Sequence, residues 1–159
     1  MVHGPWSMVR GPWSVVRGPL FFLAGAGQNR TDCQLLFKKK FMKTAFENLR
    51  VYQLAEKLAD EIWDLVLSWD DFAKDTVGKQ LVRVGDSIGA NIAEGSGRGS
   101  YQDNRRFVRI ARGSLNETQH WLRRAYRRKL ISNARLKIIK PLIDELPPRL
   151  NAYLNQLVR

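Results

Sequence analysis

Arg105, Arg109, Arg112, Arg123 and Arg127, with Asn116 and His120 between them, follow one another at steps of three or four residues. Such spacing puts all of them on one face of an α-helix. At about 1.5 Å of rise per residue the stripe is about 33 Å long, enough to follow several phosphates of a folded nucleic acid. Arginine predominates over lysine, and a planar guanidinium can contact phosphate bidentately. The chemistry this suggests is polyanion binding, centred on Arg105, Arg109, Arg112, Arg123 and Arg127. Two other readings stand beside it. The stripe can be a solvated face, or it can pair with the acidic segment Glu47 to Asp71, which carries seven acids against two bases. That pairing would lie between subunits or between neighbouring helices of one bundle.

Ser87, Asn91, Glu94 and Gly95 form a second cluster, where the functional reading is a catalytic Glu94 assisted by Asn91. No second carboxylate, cysteine or metal-spaced histidine accompanies Glu94, and the two histidines, His3 and His120, are isolated. Neither a triad nor a metal site is therefore supported. The sequence suggests no catalytic residue, no metal ligand, no cofactor and no enzymatic activity. The structural reading is a packing motif. Gly85 and Gly89 share one helical face, and each costs about 1 kcal/mol relative to alanine, so they imply a close helix crossing. Ala111, Gly113 and Ser114 offer a matching patch on the next helix. Ser87, Asn91, Glu94, Gly95, Gly113, Ser114 and Glu117 are assigned to this packing motif. Tyr101, Tyr126 and Trp121 are the candidates for stacking on bases, with Trp121 on the core stripe. So few aromatics favour backbone-driven, salt-dependent binding over base-specific readout.

The elements that must position these residues are helical. Val51, Leu54, Ala55, Leu58, Ile62, Leu65, Val66 and Trp69 make one continuous apolar face, and Val77, Leu81, Val84, Ile88 and Ile92 make a second. A third comprises Phe107, Val108, Ala111, Leu115, Thr118, Trp121, Leu122 and Ala125. The fourth runs from Leu136 through Ile139, Leu142, Ile143, Leu146, Leu150, Tyr153 and Leu154 to Leu157. Glycines 95, 97 and 99 close the second helix. Ser100, with Asp103 three residues on, caps the third, and Ser132-Asn133 the fourth. The expected fold is all-α, an antiparallel up-down four-helix bundle. Pro147-Pro148 removes two backbone donors, which predicts a kink or break near Leu146.

The chain has 159 residues and a formal charge of +12. Its length suits one domain, and its charge points to nucleic acid, an acidic membrane surface or an acidic partner. The longest apolar run, Leu20–Ala24, is far short of the roughly 20 residues of a membrane span. Residues 1–41 read as a disordered or spurious extension, because MVHGPWS, MVRGPWS and VVRGPLF repeat every seven residues around Gly-Pro. Gly-Pro excludes a coiled coil. Met42 then begins the bundle domain, 42–159. A signal peptide ending in PLFFLAGAG is the alternative for this segment. Asn29-Arg30-Thr31 matches a glycosylation sequon, Lys38-Lys39-Lys40 is a basic run, and the single cysteine, Cys33, fits a reducing compartment.

FENLRVYQLAEKLADEIW, DSIGANIAEGSGR and FVRIARGSLNET, in this order, resemble the bacterial four-helix-bundle family encoded in intervening sequences of 23S rRNA genes. The resemblance runs from Phe46 to Arg159 and is carried by the patterns SIxxNIAEG and IAxGSLxE. It implies a cytoplasmic homo-oligomer, a pentamer, with no defined enzymatic activity, in which these patterns pack helices. The chain is also similar to the accessory protein of diversity-generating retroelements, a basic pentameric bundle that binds nucleic acid and a reverse transcriptase. The partner implied is nucleic acid, with RNA favoured over DNA, and no membrane. The first forty residues and Pro147-Pro148 depart from the pattern.

Overall fold

The computed structural model describes residues 45–157, all within the second of two units, Met1–Lys40 and Phe41–Arg159. The heptad repeats, His3, Cys33, the sequon and the lysine run lie outside the described residues. Among the described residues there is no strand. Four long helices carry the fold: α1 (Arg50–Leu67), α2 (Lys79–Ser96), α3 (Tyr101–Arg127) and α4 (Asn133–Gln156).

A 3-10 turn, Ala45–Asn48, leads into α1. Every residue of the predicted first face is buried, from Val51 to Trp69. Leu58 and Ile62 are fully enclosed, each a burial that stabilises by about 1.5–3 kcal/mol. The helix stops at Ser68, whose hydroxyl donates to the Leu65 carbonyl at 2.7 Å. Asp70 caps the next run by accepting from the Ala73 amide at 2.9 Å. That run passes through Asp71–Ala73 and a π-helical stretch, Lys74–Gly78, before α2 begins. Gly78 permits the widened turn to press on α1, since a Cβ there would lie 2.7 Å from Val66 Cγ1.

Between α2 and α3 the chain turns at Gly97–Ser100. Ser100 accepts from the Asp103 amide at 3.1 Å and donates to the Asp103 carboxylate at 2.9 Å. This is the predicted cap, with Asp in place of Glu. At the far end of α3, Lys129 adopts a positive φ of 62°. Leu130 N–H bonds the Ala125 carbonyl and Lys129 N–H bonds that of Tyr126, the paired closure of a Schellman motif. Ser132 then caps α4 through the Arg135 amide at 3.3 Å.

Of the kink or break expected near Leu146, the break is absent: α4 is helical throughout, with Pro141, Pro147 and Pro148 inside it. The prolines leave the carbonyls of Lys137, Ile143 and Asp144 without helical donors. Lys137 and Asp144 are exposed and Ile143 is half-exposed, so water reaches that side of the helix. On the other side Leu142, Leu146, Leu150 and Leu154 are buried at four-residue steps, and this packing holds the helix through the Pro-Pro pair.

Helix α1 packs on α2 and α4, and α3 packs on the same two helices. The core between them holds Leu65, Leu81, Ile88, Ile92, Leu115 and Leu146.

Candidate nucleic-acid interface

Val108, Ala111, Leu115, Thr118 and Ala125 are buried, which commits one side of α3 to the core. The opposite side is cationic. Arg109, Arg112, Arg123 and Arg127 are exposed, as is His120, and Arg105 is half-buried. The Arg105 Nε is enclosed and has no hydrogen-bond partner among the described residues. Arg112 reaches the Asn151 side chain of α4 at 3.5 Å. Among the described residues no ion pair engages any of these five arginines. Arg106, Arg124 and Arg128, which the stripe omits, are exposed beside it and widen the face.

The acids of the bundle have other partners. Glu61 pairs with Arg135 of α4 at 3.3 Å, and Arg50 pairs with Glu145 at 3.6 Å. Glu94 pairs with Arg98, Asp75 with Lys79, and Asp144 with Lys140, each pair within one turn of helix. Helices α1 and α3 both flank α2 and α4.

The packing-motif residues divide into distinct surroundings. Asn91 Nδ2 donates to the Ser87 hydroxyl at 3.0 Å, and Ser87 and Ser114 hydroxyls meet across α2 and α3 at 3.0 Å. Thr118, fully buried, donates to the Ser114 carbonyl at 2.8 Å. Gly95 is pressed against α3, since a Cβ would stand 2.8 Å from Asn104 Oδ1 and 2.9 Å from Phe107 Cβ. Three expectations are corrected. Gly85 and Gly89 do not meet α3; they face Ile62, Tyr52 and Ala55 of α1. Gly113 looks onto open space. Glu94 and Glu117, both assigned to the packing motif, are exposed, and Glu117 accepts from Trp121 Nε1 at 3.3 Å.

Of the stacking candidates, Tyr101 is 60% and Tyr126 47% exposed, whereas Trp121 is half-buried against the core. Arg98 lies over the Phe107 ring at 4.9 Å. Two cavities meet beside Tyr126. One is a groove of about 310 Å³ between α3 and α4, walled mainly by Leu122, Ile131, Leu136, Ile139 and Ile143. The other is a cleft formed by His120, Arg123, Arg124, Tyr126 and Arg127. Arg123 and Tyr126 line both. Periodicity places Leu136 and Ile143 on the core face, so the groove has no signal in the sequence; it exists because α3 and α4 leave space near their connection.

No group of three or more His, Cys, Asp or Glu among the described residues is placed to hold a metal ion. No helix among them is long and apolar enough to cross a membrane.

Comparison with curated proteins found no match. Among solved structures, the chain is similar to a protein of unknown function from the S23 ribosomal protein family of Bacteroides thetaiotaomicron VPI-5482. The two share 28% identity at a TM-score of 0.58, over 65% of this chain and 97% of that one. The family of 23S rRNA-intervening sequence proteins matches residues 47–152 of this chain. A match over most of the chain, on helices that carry the SIxxNIAEG and IAxGSLxE patterns, means that this protein belongs to the 23S rRNA-intervening sequence protein family.

Proposed function

We propose that this protein is a non-enzymatic, cytoplasmic, oligomeric bundle that binds nucleic acid, RNA in preference to DNA, through the exposed face of α3. One observation carries the reading: the five arginines of the stripe have no ion-pair partner among the described residues, while Glu61, Glu94 and Glu145 are paired with other cations. Leaving so many guanidiniums uncompensated costs self-repulsion, which a polyanion would relieve. The family of the solved neighbour, the S23 ribosomal protein family, favours RNA. The topology is antiparallel up-down, and two pairs of contacts support this order. Glu61–Arg135 and Arg50–Glu145 run oppositely along α1 and α4, and Ser87–Ser114 lies deeper in the α2–α3 hairpin than Gly95–Asn104.

Titration of structured RNA, duplex DNA and single strands at several salt concentrations tests the reading. Binding should weaken linearly on a log–log scale, with a slope of about 0.7–0.9 per phosphate contacted. Changing Arg105, Arg109, Arg112, Arg123 and Arg127 to Ala should abolish it. Dissociation constants above about 10⁻⁴ M in low salt, or an unaffected variant, would defeat the proposal.

The second reading is a scaffold for another protein, with charge serving homo-oligomer assembly, a pentamer included. Exposed Trp63, Leu67 and Phe72, the last 80% accessible, favour it, because they gather large apolar side chains around the α1–α2 connection. Native mass measurement separates the two: a monomer at micromolar concentration removes the assembly role and leaves RNA binding to be judged by titration.

A further inference from the structure

Arg123 and Tyr126 stand one helical turn apart on the lip shared by the apolar groove and the arginine cleft. We infer that the groove between α3 and α4 receives an unpaired RNA base, with the phosphates flanking that base held by Arg123, Arg124 and Arg127. The inference rests on the nucleic-acid reading above and names the feature of the RNA that is recognised.

The two cavities demand opposite chemistries from one ligand. The groove, of about 310 Å³, offers aliphatic walls and the half-exposed Tyr126 ring, which suit a flat, weakly hydrated ring system. Its polar lining includes Gln119, which can both donate and accept, and Asp144, paired with Lys140, which can accept from an exocyclic amine. The adjoining cleft is lined by three guanidiniums, His120 and Tyr126, with no acid among its lining residues. An apolar peptide would satisfy the groove and leave the arginines unused. A nucleotide unit satisfies both, since it joins an aromatic base to an anionic backbone.

The helix dipole opposes an anion at this end of α3, where it amounts to about half a negative charge. Three guanidinium charges outweigh it. A base inside an A-form duplex cannot reach the groove, because it is stacked and its major-groove edge is too deep for side chains. The ligand must therefore present a bulged or looped nucleotide, and Tyr126 supplies the stacking platform.

The test uses the full chain and two RNA hairpins that differ only in a single bulged nucleotide, a fluorescent purine analogue. The bulged hairpin should bind about tenfold more tightly, the effect of one stacked base, and the fluorescence of the analogue should change on binding. Tyr126→Ala should remove the preference while leaving helicity and melting intact, and Tyr126→Phe should keep it. Equal affinity for both hairpins, with the five-arginine variant weakening both, would overturn the base pocket and leave the stripe standing. If neither hairpin binds more tightly than about 10⁻⁴ M in low salt, the underlying reading fails and this inference with it. A preference unmoved by Tyr126→Ala, together with loss of a self-associated particle in that variant, would show that a second copy covers the groove, and would also overturn it.

Discussion

Gly95 and Gly113 sit in opposite surroundings, although both belong to the packing motif read from the sequence. Gly95 lies under Asn104 and Phe107 of α3, where a methyl group has no room. Gly95→Ala should cost about 1–3 kcal/mol, measured as a lower urea midpoint with an unchanged slope. Gly113 faces open space within a helix, so Gly113→Ala should stabilise by about 0.5–1 kcal/mol. The sequence shows that a glycine is present, but not which surface it meets, because that depends on a helix distant in the chain. Asp86 is a second residue whose state is set by its neighbours. Desolvation raises its carboxyl above the ordinary 3.8, and the Asp60 carboxylate adds to the rise. The folded protein therefore binds this proton more tightly than the unfolded chain does. The resulting stability is complete below the ordinary value and is lost as pH rises through the folded value. Asp86→Asn should accordingly melt above the native protein near neutral pH, and the difference should vanish as pH falls below 3.8.

At the scale of elements, local rules predict the helix starts well. Ser100 and Ser132 cap α3 and α4 as their side chains suggest, since a hydroxyl ahead of an apolar-periodic run has orphan amides within reach. Helix ends and interruptions are less legible. Lys129 holds a left-handed conformation that glycine adopts without cost, and it closes α3 with the hydrogen bonds a glycine would make. Lys129→Gly should stabilise by about 1 kcal/mol, read as a higher melting temperature. Pro148 illustrates the converse. Its ring removes a helical donor at an exposed position, yet the buried leucines at 142, 146, 150 and 154 hold α4 together. Pro148→Ala should restore the donor to the Asp144 carbonyl and raise stability by up to about 3 kcal/mol, checked by thermal melting. A break near Leu146 would follow from the local cost of proline alone, and the continuous helix shows that tertiary burial outweighs that cost.

For the whole molecule, charge is distributed across the bundle rather than cancelled within it. Added salt should therefore act in opposite directions on stability and binding. Between about 0.01 M and about 1 M the screening length falls from about 30 Å to about 3 Å, which relieves repulsion among the arginines and weakens their hold on phosphate. Melting temperature should rise over this range while RNA affinity falls, as calorimetry and anisotropy on the same samples would show. The sequence by itself determined the four apolar faces, the caps and the existence of an arginine stripe. Each of these follows from a spacing of three or four residues, and helical geometry converts such spacing directly into a face. The tertiary structure alone decided which face meets which. It set Gly85 and Gly89 against α1, carried α4 through its prolines, and opened a groove beside Tyr126. A helical period specifies which side chains are buried; their partners are settled by packing among segments far apart in the chain, where no local spacing reports.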